Sequence, residues 1–284
     1  MPAQTPNPPN TARPLEIDAE SYKFLQDYVH RESGIVLDGD KRYLLEARLA
    51  PILRQRQLNS LNDLCALLQA NGDAPLKRQV IEAMTTHETS FFREAAQYDA
   101  LRTIVLPGLI EQRRDSKTIS FWSAAAASGQ EAYSLAIMLL EMGLGDWNIQ
   151  ILATDLSTQV LDRASAGRYL QIEVNRGLPV AYLLKYFTRV GLDWQLKDEV
   201  RRMVRFAPVD LRQSLRALGP FDIVFCRNVL IYFDIESKRK ILAELRETLL
   251  RGGYLLLGGS ETTLNLDDRF ERKMVGQAVF YQAP

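Results

Sequence analysis

The sequence predicts an α/β protein: a seven-stranded, doubly wound sheet, with a helical domain before it and a small β-subdomain inserted into it. Three observations predict this. Residues 118–155 read as a strand, a tight turn of small residues, an apolar helix and a second strand that ends on an acid. Nearly continuous apolar runs follow, suited to buried parallel strands, several of them ending on polar residues. Residues 15–92 carry their apolar side chains at helical spacing instead.

Residues 1–14 are proline-rich and lack an apolar core, so they are expected to be a disordered lead and not a signal peptide. Asp18 can cap a first helix whose Tyr22, Phe24, Leu25, Tyr28 and Val29 fall near helical spacing, and Gly34 ends it. A second helix spans about 40–57, with Leu44, Leu45, Leu49, Ile52 and Leu53 on its apolar face and Pro51 expected to kink or split it. Ser60 caps a third helix, which stops near Gly72, and a fourth covers 74–84. The helical domain and its linker thus take 15–92, and the sheet domain 93–284.

The linker, 85–94, is rich in hydroxyls and ends in Phe91, Phe92, Arg93 and Glu94. The phenylalanines read as plugs for an interface, and Arg93 as a group that can fork onto a carboxylate. A helix over 95–113 leads into the first strand, 118–123. Leu135 to Leu140 is apolar all round, as in a buried helix. Beyond Asp155, Ser157 caps a helix over 158–165. Residues 168–205 are too long for a simple connection, so they form the inserted subdomain, with 193–196 and 200–206 as short paired strands. The third strand is 204–211, ending near Asp210, and the fourth is 221–228. A helix over 235–250 buries Ile241, Leu242, Leu245 and Leu249, and Gly252 and Gly253 terminate it. Strand 254–257 and an antiparallel pair at 269–271 and 278–281 complete the sheet.

Composition narrows the function. Lys plus Arg equals Asp plus Glu at 35 each, which singles out no partner by net charge and disfavours nucleic acid. Two cysteines far apart and two histidines argue against a zinc site, a disulfide framework or a Ser-His-Asp triad. They suit a reducing, cytoplasmic setting, and no run of about 18 apolar residues marks a membrane span. Lys41, Arg42, Arg48, Arg54 and Arg56 outnumber Glu46 on the second helix, which reads as a solvated face or a surface for an acidic partner.

Chemistry in a doubly wound sheet belongs outside the carboxyl ends of its strands. The turn from Ala124 to Gly129 has one glycine where a dinucleotide site has three, which leaves room for a ribose and a small zwitterion such as that of S-adenosylmethionine. An ordinary turn with Ser128 as helix cap is the alternative. Asp155 suits ribose hydroxyls, Asp210 an adenine amino group, and Asn228 with Val229 the amino-acid end of such a ligand.

Four segments resemble the chemotaxis receptor glutamate methyltransferase family, CheR: Thr85-Thr-His-Glu-Thr-Ser-Phe-Phe-Arg-Glu94, Trp122-Ser-Ala-Ala-Ala-Ala-Ser-Gly-Gln-Glu-Ala-Tyr-Ser134, Ala153-Thr-Asp155 and Phe221-Asp-Ile-Val-Phe-Cys-Arg-Asn-Val-Leu-Ile-Tyr-Phe-Asp234. They occur in the family's order, and the resemblance covers about 15–282. It implies an S-adenosylmethionine-dependent methyltransferase sheet that forms γ-methyl esters on receptor glutamates. By motif position it implies His87, Thr89, Arg93, Glu131, Asp155, Asp210, Leu211, Asn228 and Val229 as cofactor contacts, with Tyr232 near the transferred methyl and Arg93 either holding the cofactor or orienting the attacking carboxylate, the two as catalytic residues. It also directs the basic helix, Lys41 to Arg56, toward the helical bundle of a receptor. The family's Ser-Thr-Gly-Glu-Glu-Pro-Tyr is here Ala127-Ser-Gly-Gln-Glu-Ala-Tyr133, and His87 and Asp210 stand where asparagines are common. The segment 189–196 looks too short for the glycine-containing loop with which some members dock on a receptor C-terminal pentapeptide, so independence of that peptide is expected. A nucleic-acid methyltransferase and a non-catalytic S-adenosylmethionine-binding module are the competing readings. The first has only a faint Asn228 to Tyr232 motif without prolines in its favour.

Overall fold

A computed structural model describes residues 17–37, 39–70 and 73–284. The expected lead at 1–14 and the helix stop at Gly72 lie outside the described residues. The chain divides into two compact units between Thr85 and Thr86.

The first unit holds α1 (Ala19–Ser33), α2 (Arg42–Arg56), α3 (Leu61–Gln69) and α4 (Ala74–Met84). Its start and stop signals act locally as read. The Asp18 carboxylate accepts from the Ser21 amide, Gly34 closes α1 at φ 75°, and Ser60 with Asp63 forms a reciprocal capping box on α3. Leu25, Leu45, Leu49, Leu61, Leu64, Leu76 and Val80 are fully buried between the helices. Pro51 does not split α2, which is continuous through it. Pro51 and Ala47 are both exposed, so the carbonyl deprived of its helical donor lies on the solvent side.

The second unit begins with α5 (Ala95–Ala100), a π-helical segment (Leu101–Val105) and α6 (Leu106–Gln112). One regular helix was expected here. Pro107 has no amide to give to a carbonyl one turn earlier, and the widened π turn precedes it. Then come β1 (Thr118–Ala124), α7 (Gln130–Glu141), β2 (Asn148–Asp155) and α8 (Thr158–Ala166). The insertion holds β3 (Arg168–Leu170), α9 (Gln171–Val174), α10 (Val180–Tyr186), β4 (Phe187–Val190) and β5 (Asp193–Leu196). The chain returns through α11 (Asp198–Arg201) to β6 (Val204–Pro208) and β7 (Phe221–Cys226). It ends with a 3-10 turn (Leu230–Tyr232), α12 (Ile235–Glu247), β8 (Leu249–Leu257), β9 (Glu271–Val275) and β10 (Ala278–Gln282).

The main sheet has the order β6-β2-β1-β7-β8-β10-β9. Its first five members run parallel, and β10 is antiparallel to both neighbours. The order reverses between β1 and β7, the crevice where ligands bind in such sheets. Side chains alternate across it. Ile119 and Phe121 of β1 join the core that includes α7, whereas Trp122 and Ala124 join the one under Ile241, Leu242 and Leu245 of α12.

Three further expectations are corrected. β5 pairs with β4 and β3 in a separate three-stranded sheet, and residues 204–208 run parallel to β2 in the main one. A two-residue turn with Gly191 at φ 64° allows the tight β4–β5 hairpin. Gly252 and Gly253 do not end the preceding helix but lie inside β8. A Cβ on Gly253 would come within 2.9 Å of the Asp222 and Leu250 carbonyl oxygens, at a register shift between β7 and β8, so glycine serves a bulge here. Leu249 accordingly opens that strand and is not part of the helix.

Candidate active site

The small residues after β1 form a strained turn. Ala125, Ala127 and Gly129 have φ of 60°, 48° and 90°, conformations that cost non-glycine residues free energy and gather at functional sites. A Cβ on Gly129 would press on Ala164, Tyr133 and Phe206 at 3.0, 3.2 and 3.3 Å. Gly129 itself takes the N-cap position of α7, and the Ser128 hydroxyl bonds Gln130 Oε1 at 2.8 Å, so Ser128 does not cap the helix. The altered motif residues Gln130 and Ala132 are both buried and packed.

Asp155 holds this turn together. Its carboxylate accepts from the Ala127 amide at 3.0 Å and the Ser157 amide at 3.1 Å. Its carbonyl accepts from the Val209 amide at 3.0 Å, tying the ends of β2 and β6. His87 Nε2 lies 3.7 Å from Asp155 Oδ1, within ion-pair reach when the imidazole is protonated. Asp155 therefore stands at the expected strand end and also fixes the backbone that a ligand would approach.

On the other side of β1, Glu131 accepts from the Ser123 hydroxyl at 2.7 Å and from Arg227 Nη1 at 2.9 Å. The Arg227 side chain is only 1% exposed. It also donates to the Arg93 carbonyl, lies 3.3 Å from Glu94 and stacks over Tyr98. Burial draws its pKa down, but Glu131, Tyr98 and Glu94 together carry it above its ordinary value. Arg227 Nε is buried with no protein partner.

The loop after β7 is fixed by an acid from another loop. Glu261 accepts from the amides of Asn228 and Gly258 on Oε2, each at 2.7 Å, and from those of Val229 and Ile231 on Oε1 at 3.0 and 3.3 Å. Asn228 is at φ 58°, and a Cβ on Gly258 would meet its Nδ2 at 2.5 Å. Glu94 approaches Asn228 Nδ2 at 3.5 Å and accepts from the Gly259 amide at 3.2 Å. Tyr232 ends the 3-10 turn of this pinned loop and is partly buried.

The site residues named from the sequence thus fall into three groups. His87, Glu131, Asp155, Asn228 and Val229 gather at the ends of β2, β1 and β7, with Arg93 joined to them through its carbonyl. Thr89 is half-buried in the same 86–94 segment, and the Arg93 guanidinium reaches the Glu88 carbonyl at 3.1 Å. Asp210 lies just past β6 and not on a strand; both its oxygens are engaged by Arg212, at 2.7 and 3.0 Å, so an adenine amino group would have to share them. The Leu211 side chain belongs to the core, so only its backbone is left to face a ligand. Sequence reasoning gave no role to Glu94, Arg227 or Glu261. The first two lay within the quoted motifs; the third carried the signal of an acid just after a glycine pair at a strand end.

The residues fit S-adenosylmethionine. The turn presents nothing larger than a methyl or hydroxymethyl group from Ala124 to Gly129, and acids stand at the end of β2 and in the first turn of α7, groups of the kind that accept from ribose hydroxyls or an ammonium. A seven-stranded sheet of this order with such a crevice defines an S-adenosylmethionine-dependent methyltransferase. Residues 20–85 match the family model described as CheR methyltransferase, all-alpha domain, and 87–279 the one described as CheR methyltransferase, SAM binding domain. The chain belongs to the CheR methyltransferase family. It is 38% identical over 268 residues to chemotaxis protein methyltransferase 1 of Pseudomonas aeruginosa, covering 92% of this chain and 97% of that protein. It is 37% identical over 274 residues to chemotaxis protein methyltransferase 1 of Vibrio cholerae, covering 94% and 98%. Among solved structures, a TehB-like SAM-dependent methyltransferase from Corynebacterium glutamicum aligns over 66% of this chain and 96% of its own at 13% identity, with a TM-score of 0.37.

Proposed function

We propose that this protein transfers a methyl group from S-adenosylmethionine to glutamate side chains of chemoreceptors in the cytoplasm, forming γ-glutamyl methyl esters for sensory adaptation. The observation that carries the reading is the match of both units, over nearly their full length, to chemotaxis methyltransferases. The bound donor supplies an electrophilic methyl on sulfur. The glutamate nucleophile is already ionised at neutral pH, with an ordinary pKa near 4.3, so the protein needs no general base. Its work is placement and exclusion of water. His87, Thr89, Glu131, Asp155, Asp210, Leu211, Asn228 and Val229 hold the donor. Arg93 orients the donor or the incoming carboxylate, and Tyr232 guides the nucleophile.

The basic helix α2 is the receptor-facing element in this reading. Its charge is partly spent within the helical unit: Arg48 donates to the Met84 and Thr85 carbonyls, and Arg56 pairs with Asp73 at 2.7 Å. Arg42 lies 3.8 Å from Asp40 and over the Tyr22 ring but, like Arg54, is exposed, and the two face an acidic bundle in this reading. Docking does not require a receptor C-terminal pentapeptide, a reading supported by the two-residue β4–β5 turn in place of a longer loop.

The test is methyl transfer from labelled donor to chemoreceptor-rich membranes, with DNA and a no-substrate control. Base-labile release of the label as methanol is the expected result. Label on DNA, or donor binding without transfer, would replace the proposal with one of its competitors. Tight calorimetric binding of a receptor C-terminal pentapeptide would remove the independence from it.

A further inference from the structure

The inserted subdomain touches the crevice from outside, at both of its walls. Phe91, fully buried, is packed edge-on by Tyr169 of β3 and Phe187 of β4, with centroids at 5.1 and 5.7 Å. Phe92 meets Tyr182 of α10 at 5.6 Å. Arg176, between α9 and α10, pairs with Glu88 at 2.6 Å, and this contact, then the charges of Arg176 and Arg93, lowers the Glu88 pKa. Gly177 lies so close that a Cβ there would stand 2.0 Å from the Phe91 carbonyl oxygen. All five contacts fall on the 86–94 segment. A sixth reaches the opposite wall: the buried Tyr169 hydroxyl donates to the Ser128 carbonyl at 2.8 Å, in the turn that precedes Gly129.

We propose that the inserted β-subdomain is a clamp for the methyl-donor site, holding the 86–94 segment and the turn after β1 in register through Phe91, Gly177 and Tyr169. The proposal rests on the reading that His87, Thr89 and Arg93 line that site. None of the clamp residues touches the reacting groups; they are positioning residues. Each backbone they hold is strained. Phe92 and Glu94 are at φ 48° and 60°, and Ala125 and Ala127 at 60° and 48°. Strained backbone keeps its conformation only where its surroundings over-determine it, and the subdomain supplies that constraint from one side as α7 does from the other, where the Ser134 hydroxyl accepts from the Phe92 amide at 2.9 Å. A subdomain that needs no docking peptide thus has work within the fold.

The test compares Tyr169→Phe and Gly177→Ala with Gly191→Ala in the full chain. Tyr169→Phe keeps the ring and deletes one buried hydrogen bond. Gly177→Ala pushes the loop off Phe91. Gly191→Ala sits at the hairpin tip of the same subdomain, at φ 64°, with nothing within 4 Å, so it imposes backbone strain without touching the crevice. S-adenosylhomocysteine affinity by calorimetry is expected to fall about five-fold in Tyr169→Phe, the size of one lost buried hydrogen bond, and further in Gly177→Ala. KM for the donor rises in both with kcat nearly kept, and Gly191→Ala binds as the unaltered protein does even where its Tm is lower. Unchanged affinity in Tyr169→Phe, or an equal loss in Gly191→Ala, overturns the clamp. Unchanged affinity in Thr89→Ala together with Arg93→Ala sinks the underlying reading of the segment instead, and the clamp with it.

Discussion

Arg227 lies between Glu131 and Glu94 with almost no access to water, and its removal would strand two partly buried carboxylates. Breaking such a group by removing one partner costs about 3–5 kcal/mol. Arg227→Met is expected to lose that much in urea unfolding, and the double variant with Glu131→Gln to lose less than the two single changes together. Glu261→Gln tests the other anchor. Each Glu261 oxygen accepts two amides, so whichever way the new amide turns, its NH2 faces two donors. About 1–3 kcal/mol for each unsatisfied donor should appear as a lower Tm and weaker S-adenosylhomocysteine binding. Arg93→Ala should keep the Tm and the circular dichroism of the unaltered protein while turnover falls on the order of 100-fold, as misplaced reactants do. The gathering of His87, Glu131, Asp155, Asn228 and Val229 was legible because strand ends and motif positions mark them. Arg227 and Glu261 were harder to read because they act on backbone brought near only by folding: Arg227 bonds a carbonyl far back in the sequence, and Glu261 four amides on two loops.

Among the elements, the segment between β8 and β9 is tied to α12 by Asp267, whose 3%-exposed side chain meets Arg246 at 3.1 Å and Arg269 at 2.8 Å. Burial works to raise its pKa, yet the bonds from Arg269 and Arg246 bring it below the ordinary 3.8. A lowered folded pKa means that the carboxylate stabilises the protein above the unfolded value and that this stability is lost as pH falls through the folded one. The Tm gap between the unaltered protein and Asp267→Asn should therefore be full near neutrality and close below about pH 4. Helices were legible from period and caps, down to Asp18, Gly34 and Ser60. Strands were not legible where pairing decides them. Residues 193–196 have the same propensity whether they pair with 187–190 or 200–206, and only the Gly191 turn selects the partner. Glycines 252 and 253 look like a helix stop because a bulge and a C-cap ask for the same residue.

For the molecule as a whole, the class was legible because strands alternate with helices and polar groups stand at or just past four strand ends, whereas the order of the strands comes from the structure. How the insertion meets the sheet was not, since it depends on side-chain contacts such as Phe91 on Tyr169 that no local pattern encodes. Among the described residues no helix is long and apolar enough to cross a membrane, and no cluster of His, Cys, Asp and Glu could hold a metal ion. The two cysteines have a different use. Cys65 is buried in the helical unit, its thiol pushed up to about 11 chiefly by burial, and Cys226 is wholly enclosed at the end of β7, its thiol also raised by burial. Protonated and shielded, neither can react with an alkylating reagent until its surroundings open. Each unit thus carries one chemical clock, and mass spectrometry of the two alkylated peptides times their opening separately. With S-adenosylhomocysteine at 100 times its Kd, alkylation of Cys226 should slow about 100-fold wherever opening releases the ligand.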